Sequence, residues 1–175
     1  MRLAAILAAT ALTIQPTVAR AEESSCLTSK QAGSLAGYAL PSVISGAAKR
    51  CSATLTDTSF LKTDGPALAE RYAARKDATW PAAKTAFLAM SKGNEGAGKI
   101  FSSLPDSSLR EMVDVVFEGM VAQQIPVDDC DKIDNFVRIL APLPPKNTAE
   151  LVVLLIGLST ASKSEKPGKL AICKS

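Results

Sequence analysis

From Cys26 to Cys51 the apolar or small positions are Ala32, Leu35, Ala36, Ala39, Leu40, Val43, Ile44, Ala47, Ala48 and Cys51. They step by three and four without losing phase, the pattern of one continuous helical face. Thr28 and Gln31 have the spacing of a capping box at its start. Pro41 falls in the middle, where a proline costs a straight helix about 3 kcal/mol. The apolar phase survives it. The pattern therefore predicts a kinked helix, or two coaxial helices with the second starting near Pro41. The rest of the chain is placed around this rod, which has a cysteine at each end.

Downstream, Ser52 to Asp57 reads as a polar linker, followed by a short helical turn at Ser59 to Lys62. Gly65-Pro66 opens a long alanine-rich segment with Leu68, Tyr72, Ala73, Trp80, Ala83, Phe87 and Met90 near one face. Pro81 is expected to interrupt it, with Asp77 available as a cap where the helix restarts. Gly93 to Gly98 is the strongest breaker in the chain, and Lys99 to Leu104 reads as one short helical turn.

Pro105-Asp106 starts the clearest amphipathic helix. Leu109, Met112, Val113, Val116, Phe117, Met120 and Val121 form its apolar face, and Glu111, Asp114 and Glu118 its polar one. Cys130 opens a helix bearing Ile133, Phe136, Val137 and Leu140, stopped at Pro142-Leu143-Pro144-Pro145. Asn147 and Glu150 read as a cap for the run Leu151 to Leu158. That run is apolar on every side and too short to span a bilayer, so it is expected to be the central buried helix. The tail from Ser162 to Ser175 is polar and lysine-bearing, anchored by Cys173.

No period-2 segment of useful length exists. The expected class is all-α: an antiparallel bundle or orthogonal array of about five or six helices.

The first residues are read apart from the fold. Met1-Arg2 is a short basic start, Leu3 to Ile14 an apolar run, and Ala19-Arg20-Ala21 a small-x-small cleavage site. Residues 1–21 thus read as a cleaved secretory signal peptide, and 22–175 as a single all-helical domain. The expected location is the periplasm or the extracellular medium, with no transmembrane span in the mature chain.

All four cysteines lie beyond the cleavage site, and an even number in an exported chain favours disulfides. Geometry selects the pairing. A helix rises about 1.5 Å per residue, so an unbroken rod holds Cys26 and Cys51 far beyond the roughly 7 Å between Cα atoms that a disulfide allows. Counting helices up and down from Cys26 brings Cys130 to the Cys51 end and the tail back to Cys26. The predicted disulfides are Cys51–Cys130 and Cys26–Cys173.

Charge and composition exclude several activities. The formal charge is +3 and becomes still smaller when Arg2 and Arg20 leave with the signal peptide, which argues against nucleic-acid binding. The chain contains no histidine. That removes the usual general base and the usual zinc ligand, so no Ser-His-Asp or Cys-His site is possible.

Gly93-Asn94-Glu95-Gly96-Ala97-Gly98-Lys99 has phosphate-loop spacing, but Ile100 stands where a magnesium-binding hydroxyl is needed; a flexible inter-helix loop is expected. Asp128, Asp129, Asp131 and Asp134 crowd Cys130 and read as a helix cap and solvated face. Trp80 is expected in the core, and the Pro142 to Pro145 segment as a stiff turn. Neither a cofactor nor a metal is expected.

Acidic residues prevail between Asp106 and Asp134, and basic ones between Lys62 and Lys99. Glu111, Asp114 and Glu118 therefore form a candidate acidic face for a partner. The resulting expectation is a small exported disulfide-bonded protein that is not an enzyme and acts by binding. An accessory or inhibitory module of the cell envelope, with another exported protein or an envelope component as partner, fits this description. The alternative is a carboxylate-dependent hydrolase of envelope polymers, which needs two acids facing each other across a cleft.

Overall fold

The computed structural model describes residues 26–92, 95–161 and 172–173. The expected signal peptide and most of the tail lie outside the described residues. Eight α-helices are present among them: α1 (Ser29–Cys51), α2 (Phe60–Thr63), α3 (Gly65–Ala73), α4 (Lys76–Ser91), α5 (Glu95–Ser103), α6 (Asp106–Gln124), α7 (Cys130–Leu140) and α8 (Pro145–Ala161). A short 3-10 turn at Val127–Asp129 leads into α7. The β pairing among the described residues is one isolated parallel bridge, Leu27 to Ile172. The class is all-α. None of the described helices is long and apolar enough to cross a membrane.

Helix α1 is the axis, with α3, α4, α6 and α8 all packed on it. Its start is the expected capping box: Thr28 Oγ1 accepts from the Gln31 backbone N–H at 3.2 Å, and Gln31 Oε1 accepts from the Thr28 N–H at 2.9 Å. The helix runs through a buried Pro41 without ending there. Its composition explains its position. Ala32, Ala39, Ser42, Gly46 and Ala47 are buried beside Leu35, Tyr38, Leu40 and Ile44. Small side chains on several faces let neighbouring helices approach from several directions, which a bulky aliphatic stripe does not.

Two apolar clusters form along this axis. Toward Cys26, Leu27, Leu35, Tyr38, Trp80, Phe87, Leu109, Val113 and Val153 pack together. Toward Cys51, Leu40, Ile44, Leu55, Leu61, Leu68, Tyr72 and both cysteines of that end do so. Each fully buried large side chain contributes about 1.5–3 kcal/mol. Trp80, 2% exposed, is the core residue expected. Its ring centroid is 4.9 Å from that of Tyr38, and its indole N–H donates to Asp106 Oδ2 at 2.6 Å.

Both disulfides have the pairing that the up-and-down counting requires. Cys26–Cys173 has Cα atoms 5.0 Å apart, and Cys51–Cys130 has them 5.5 Å apart. The first is reinforced by the Cys173 N–H donating to the Leu27 carbonyl at 2.9 Å.

Several expectations are corrected. Helix α8 is not central: Thr148, Ala149 and Val153 are buried, whereas Leu154 and Leu158 are 58% and 61% exposed. A run that is apolar on all sides has no preferred face, and the axial position belongs instead to the small-residue helix. The break in the long alanine-rich segment falls at Ala74-Arg75, with Pro81 inside α4. That turn sends Tyr72 into one cluster and Trp80 into the other. Helix α8 starts at Pro145 rather than after an Asn147 cap, the proline serving as a first helical residue whose missing N–H is not needed. Residues 95–99 of the glycine-rich stretch are helical in α5, while Gly93 and Asn94 lie outside the described residues. A Cβ at Gly98 would lie 3.0 Å from the Ser91 carbonyl oxygen, so this glycine serves a close approach of α5 to the end of α4.

Candidate functional site

The acidic residues of α6 lie along one helix. Asp114 accepts from Ser42 Oγ at 3.2 Å and pairs with Lys76 Nζ at 2.5 Å. Glu118 pairs with Lys49 at 3.3 Å, and Glu111 is exposed. Two of the three thus tie α6 to α1 and α4. The exposed Lys49–Glu118 pair contributes about 0–1 kcal/mol. Burial, reinforced by the Asp114 carboxylate, pushes the Tyr38 hydroxyl up to about 12. Lys76 Nζ lies 4.6 Å from the centroid of the Tyr38 ring, so Asp114 sits in a local network of known partners.

The aspartates around Cys130 also separate. Asp129 holds Lys132 at 2.7 Å; it occupies the N-cap position of α7 but makes no side-chain capping bond there. Asp134 accepts from the backbone N–H groups of Phe60 at 3.3 Å and Leu61 at 2.7 Å. It thereby satisfies the open end of α2 from a different helix. Among the described residues no three His, Cys, Asp or Glu side chains converge on a point that could hold a metal ion.

The concave feature lies beneath α7. This helix is amphipathic, yet Cys130 is its one buried residue. Three links hold it: the Cys51–Cys130 disulfide at its start, Asp134 on α2, and Arg71 Nη2 donating to the Ala141 carbonyl just past its end. Between these links its apolar face stands off the axis and leaves a cavity of about 170 Å³, partly open to solvent. Leu40, Val43, Ile44 and Ala47 of α1 form the floor, Ile133, Phe136, Val137 and Leu140 of α7 the outer wall. Leu68 and Tyr72 of α3, Val121 and Ile125 at the end of α6, and Thr148 and Val152 of α8 close the sides.

The lining contains two polar side chains, and their hydroxyls meet: Tyr72 Oη and Thr148 Oγ1 are 3.0 Å apart. Both hydroxyl protons have partners within the protein, in each other and in the Leu143 and Pro144 carbonyls. Phe136, 43% exposed, lies at the edge. A cavity of about 150 Å³ with a similar aliphatic and aromatic lining stays dry and accepts a benzene-sized guest. The chemistry available here is apolar binding.

The stripe Ile133, Phe136, Val137 and Leu140 is visible in the sequence, but its spacing does not show that it stops short of the core. Thr148 carries no signal of its own; its role exists because α8 brings it against Tyr72. Arg71 reads in the sequence as one charge among many.

Compared with protein-family models, with curated proteins and with solved structures, the chain matches none.

Proposed function

We propose that this is an exported, non-enzymatic binding protein whose ligand is an apolar molecule held beneath α7. The observation that carries the reading is the cavity lining, in which the hydroxyls of Tyr72 and Thr148 bond to each other and every other side chain is hydrocarbon. A site of this kind gains affinity by removing apolar surface from water, about 25 cal/mol per Å², and penalises any unpaired polar atom.

The two disulfides support a life in an oxidising compartment, as the signal-peptide reading requires. Exposed Ile139, Leu154 and Leu158 give the protein apolar contacts for an envelope component or a second exported protein. The hydrolase reading has less support. Asp114 and Glu118 are each held by a lysine, and all three acids of the candidate face lie on α6.

The test is a titration of the mature protein with the uncharged fluorophore N-phenyl-1-naphthylamine. Saturable enhancement is expected, and Val137→Trp, which fills the cavity from the α7 side, should abolish it. Absence of saturable binding, or binding unchanged in that variant, would sink the proposal. Export is checked separately by intact mass, the secreted or periplasmic species beginning at Glu22.

A further inference from the structure

We infer that the ligand is a single-chain amphiphile with an anionic head group, and that Arg71 recognises the head. The inference rests on the cavity being an apolar binding site.

Arg71 and Tyr72 are consecutive at the end of α3, and they divide two tasks. Tyr72 turns inward, 2% exposed, and lines the cavity. Arg71 stays exposed at its edge, its guanidinium carbon 5.6 Å from the centroid of the Tyr72 ring. One of its nitrogens, Nη2, donates to the Ala141 carbonyl, and the preceding residue, Leu140, lines the cavity from α7. The guanidinium therefore reaches across the rim from α3 to the end of α7.

This side chain has capacity to spare. A guanidinium presents five N–H donors in a planar fork, and the bond to Ala141 leaves most of them unused. The ion pairs among the described residues do not include Arg71. Arg50 is placed differently: its Nε donates to the Ile125 carbonyl at 2.9 Å at another part of the rim, without a cavity-lining ring beneath it.

The ligand class follows from the contrast between interior and rim. The hydrocarbon interior rejects a charge, because a buried unpaired ion costs far more than chain burial returns. The rim offers a cation whose fork matches a carboxylate or sulfate in two parallel hydrogen bonds. A molecule satisfying both has an alkyl chain inside and an anion at the Arg71 edge.

The experiment is calorimetric titration of the mature protein with octanoate and with octan-1-ol, which share a chain and differ in the head. Octanoate should bind about tenfold or more tighter than the alcohol, the scale of a charge-assisted pair, and its affinity should fall with added salt while that of the alcohol does not. Arg71→Gln, which keeps an N–H for Ala141, should reduce octanoate to the level of the alcohol. Arg71→Lys should retain part of the preference. Val137→Trp should abolish both. Equal, salt-independent binding of the two ligands would overturn the head-group inference and leave the apolar site standing. An octanoate preference that survives in Arg71→Gln would overturn the assignment to Arg71. If neither ligand binds, the cavity reading fails and this inference with it. The salt series needs no variant, so it decides the head-group question even if a substitution impairs folding, and Arg71→Lys, which keeps the charge, gives a second variant for the assignment to Arg71.

Discussion

A Cβ added at Gly46 would lie 2.6 Å from the backbone carbonyl oxygen of Glu118. Helices α1 and α6 therefore cross with only a hydrogen atom between one backbone and the other. That crossing fixes the height at which α6 runs along the axis. The neighbouring contacts, Ser42 with Asp114 and Lys49 with Glu118, lie on either side of it along α1.

Gly46→Ala is the direct test. Alanine would gain up to about 1 kcal/mol of helix propensity. Forcing a methyl group against a backbone atom that cannot rotate away costs about 1–3 kcal/mol. A net loss of about 1 kcal/mol is expected in urea unfolding. A gain in stability would mean that the helices are not in contact at this point.

Leucines on two helices separate the axial arrangement from the one that apolar content alone suggests. Leu109 on α6 is fully buried, whereas Leu154, in the most apolar run of the described chain, is 58% exposed. Leu109→Ala should cost about 2–5 kcal/mol, and Leu154→Ala about 0.5 kcal/mol or less. The reverse order, read from denaturant midpoints, would restore α8 to the centre.

This contrast shows what the sequence could and could not disclose. Periodicity gave α1 its inward face and placed Leu109 and Val113 of α6 inward, because polar positions break the symmetry there; Val116 and Met120 of the same α6 stripe, and Phe136 of α7, are exposed. Position in the array is a different property. It depends on how many neighbours a helix can admit, and for α1 that is decided by the small size of Ser42, Gly46 and the alanines, which a hydropathy pattern does not register. The disulfides were legible because Cys51 and Cys130 mark the ends of elements whose lengths the pattern had already set. The cavity was not legible. It arises from a gap between α7 and α1, and no local rule relates Tyr72 to Thr148, or Arg71 to Ala141, before the fold brings them together.

Acid should act on the fold through Asp106. Its carboxylate accepts from Lys84 Nζ at 2.5 Å and from the Trp80 indole N–H at 2.6 Å. The Lys84 bond first, and the Trp80 bond next, hold its pKa below the usual carboxylate value. A depressed folded pKa means that the stabilisation is present above the unfolded value, about 3.9, and is lost as pH falls through the lower folded value. Thermal unfolding of the protein and of Asp106→Asn should differ by a constant amount above about pH 5, and the difference should shrink below about pH 4. A difference that stays constant to lower pH would show that the ionised carboxylate contributes nothing. The expected size is small, because the group is solvent-exposed.

The hydroxyl pair at the cavity wall yields a prediction about direction as well as size. Tyr72 Oη has Thr148 Oγ1 at 3.0 Å and the Leu143 carbonyl at 3.4 Å. Thr148 Oγ1 has the Pro144 carbonyl at 3.3 Å. The shortest arrangement that uses both protons runs Tyr72 to Thr148 to Pro144, with each hydroxyl donating once. Thr148→Val then removes the acceptor of a buried tyrosine proton and leaves it the longer Leu143 contact. That should cost about 1–3 kcal/mol, the range for a buried donor left poorly satisfied. Tyr72→Phe leaves the Thr148 proton on Pro144 and should cost about 0.5–1.5 kcal/mol, an ordinary lost hydrogen bond. The double variant should cost less than the sum of the two, since the pair shares one bond. If Tyr72→Phe proves the more damaging of the two, the chain runs the other way, from Thr148 to Tyr72 to Leu143, and the carbonyl that closes it lies one residue earlier in the turn before α8.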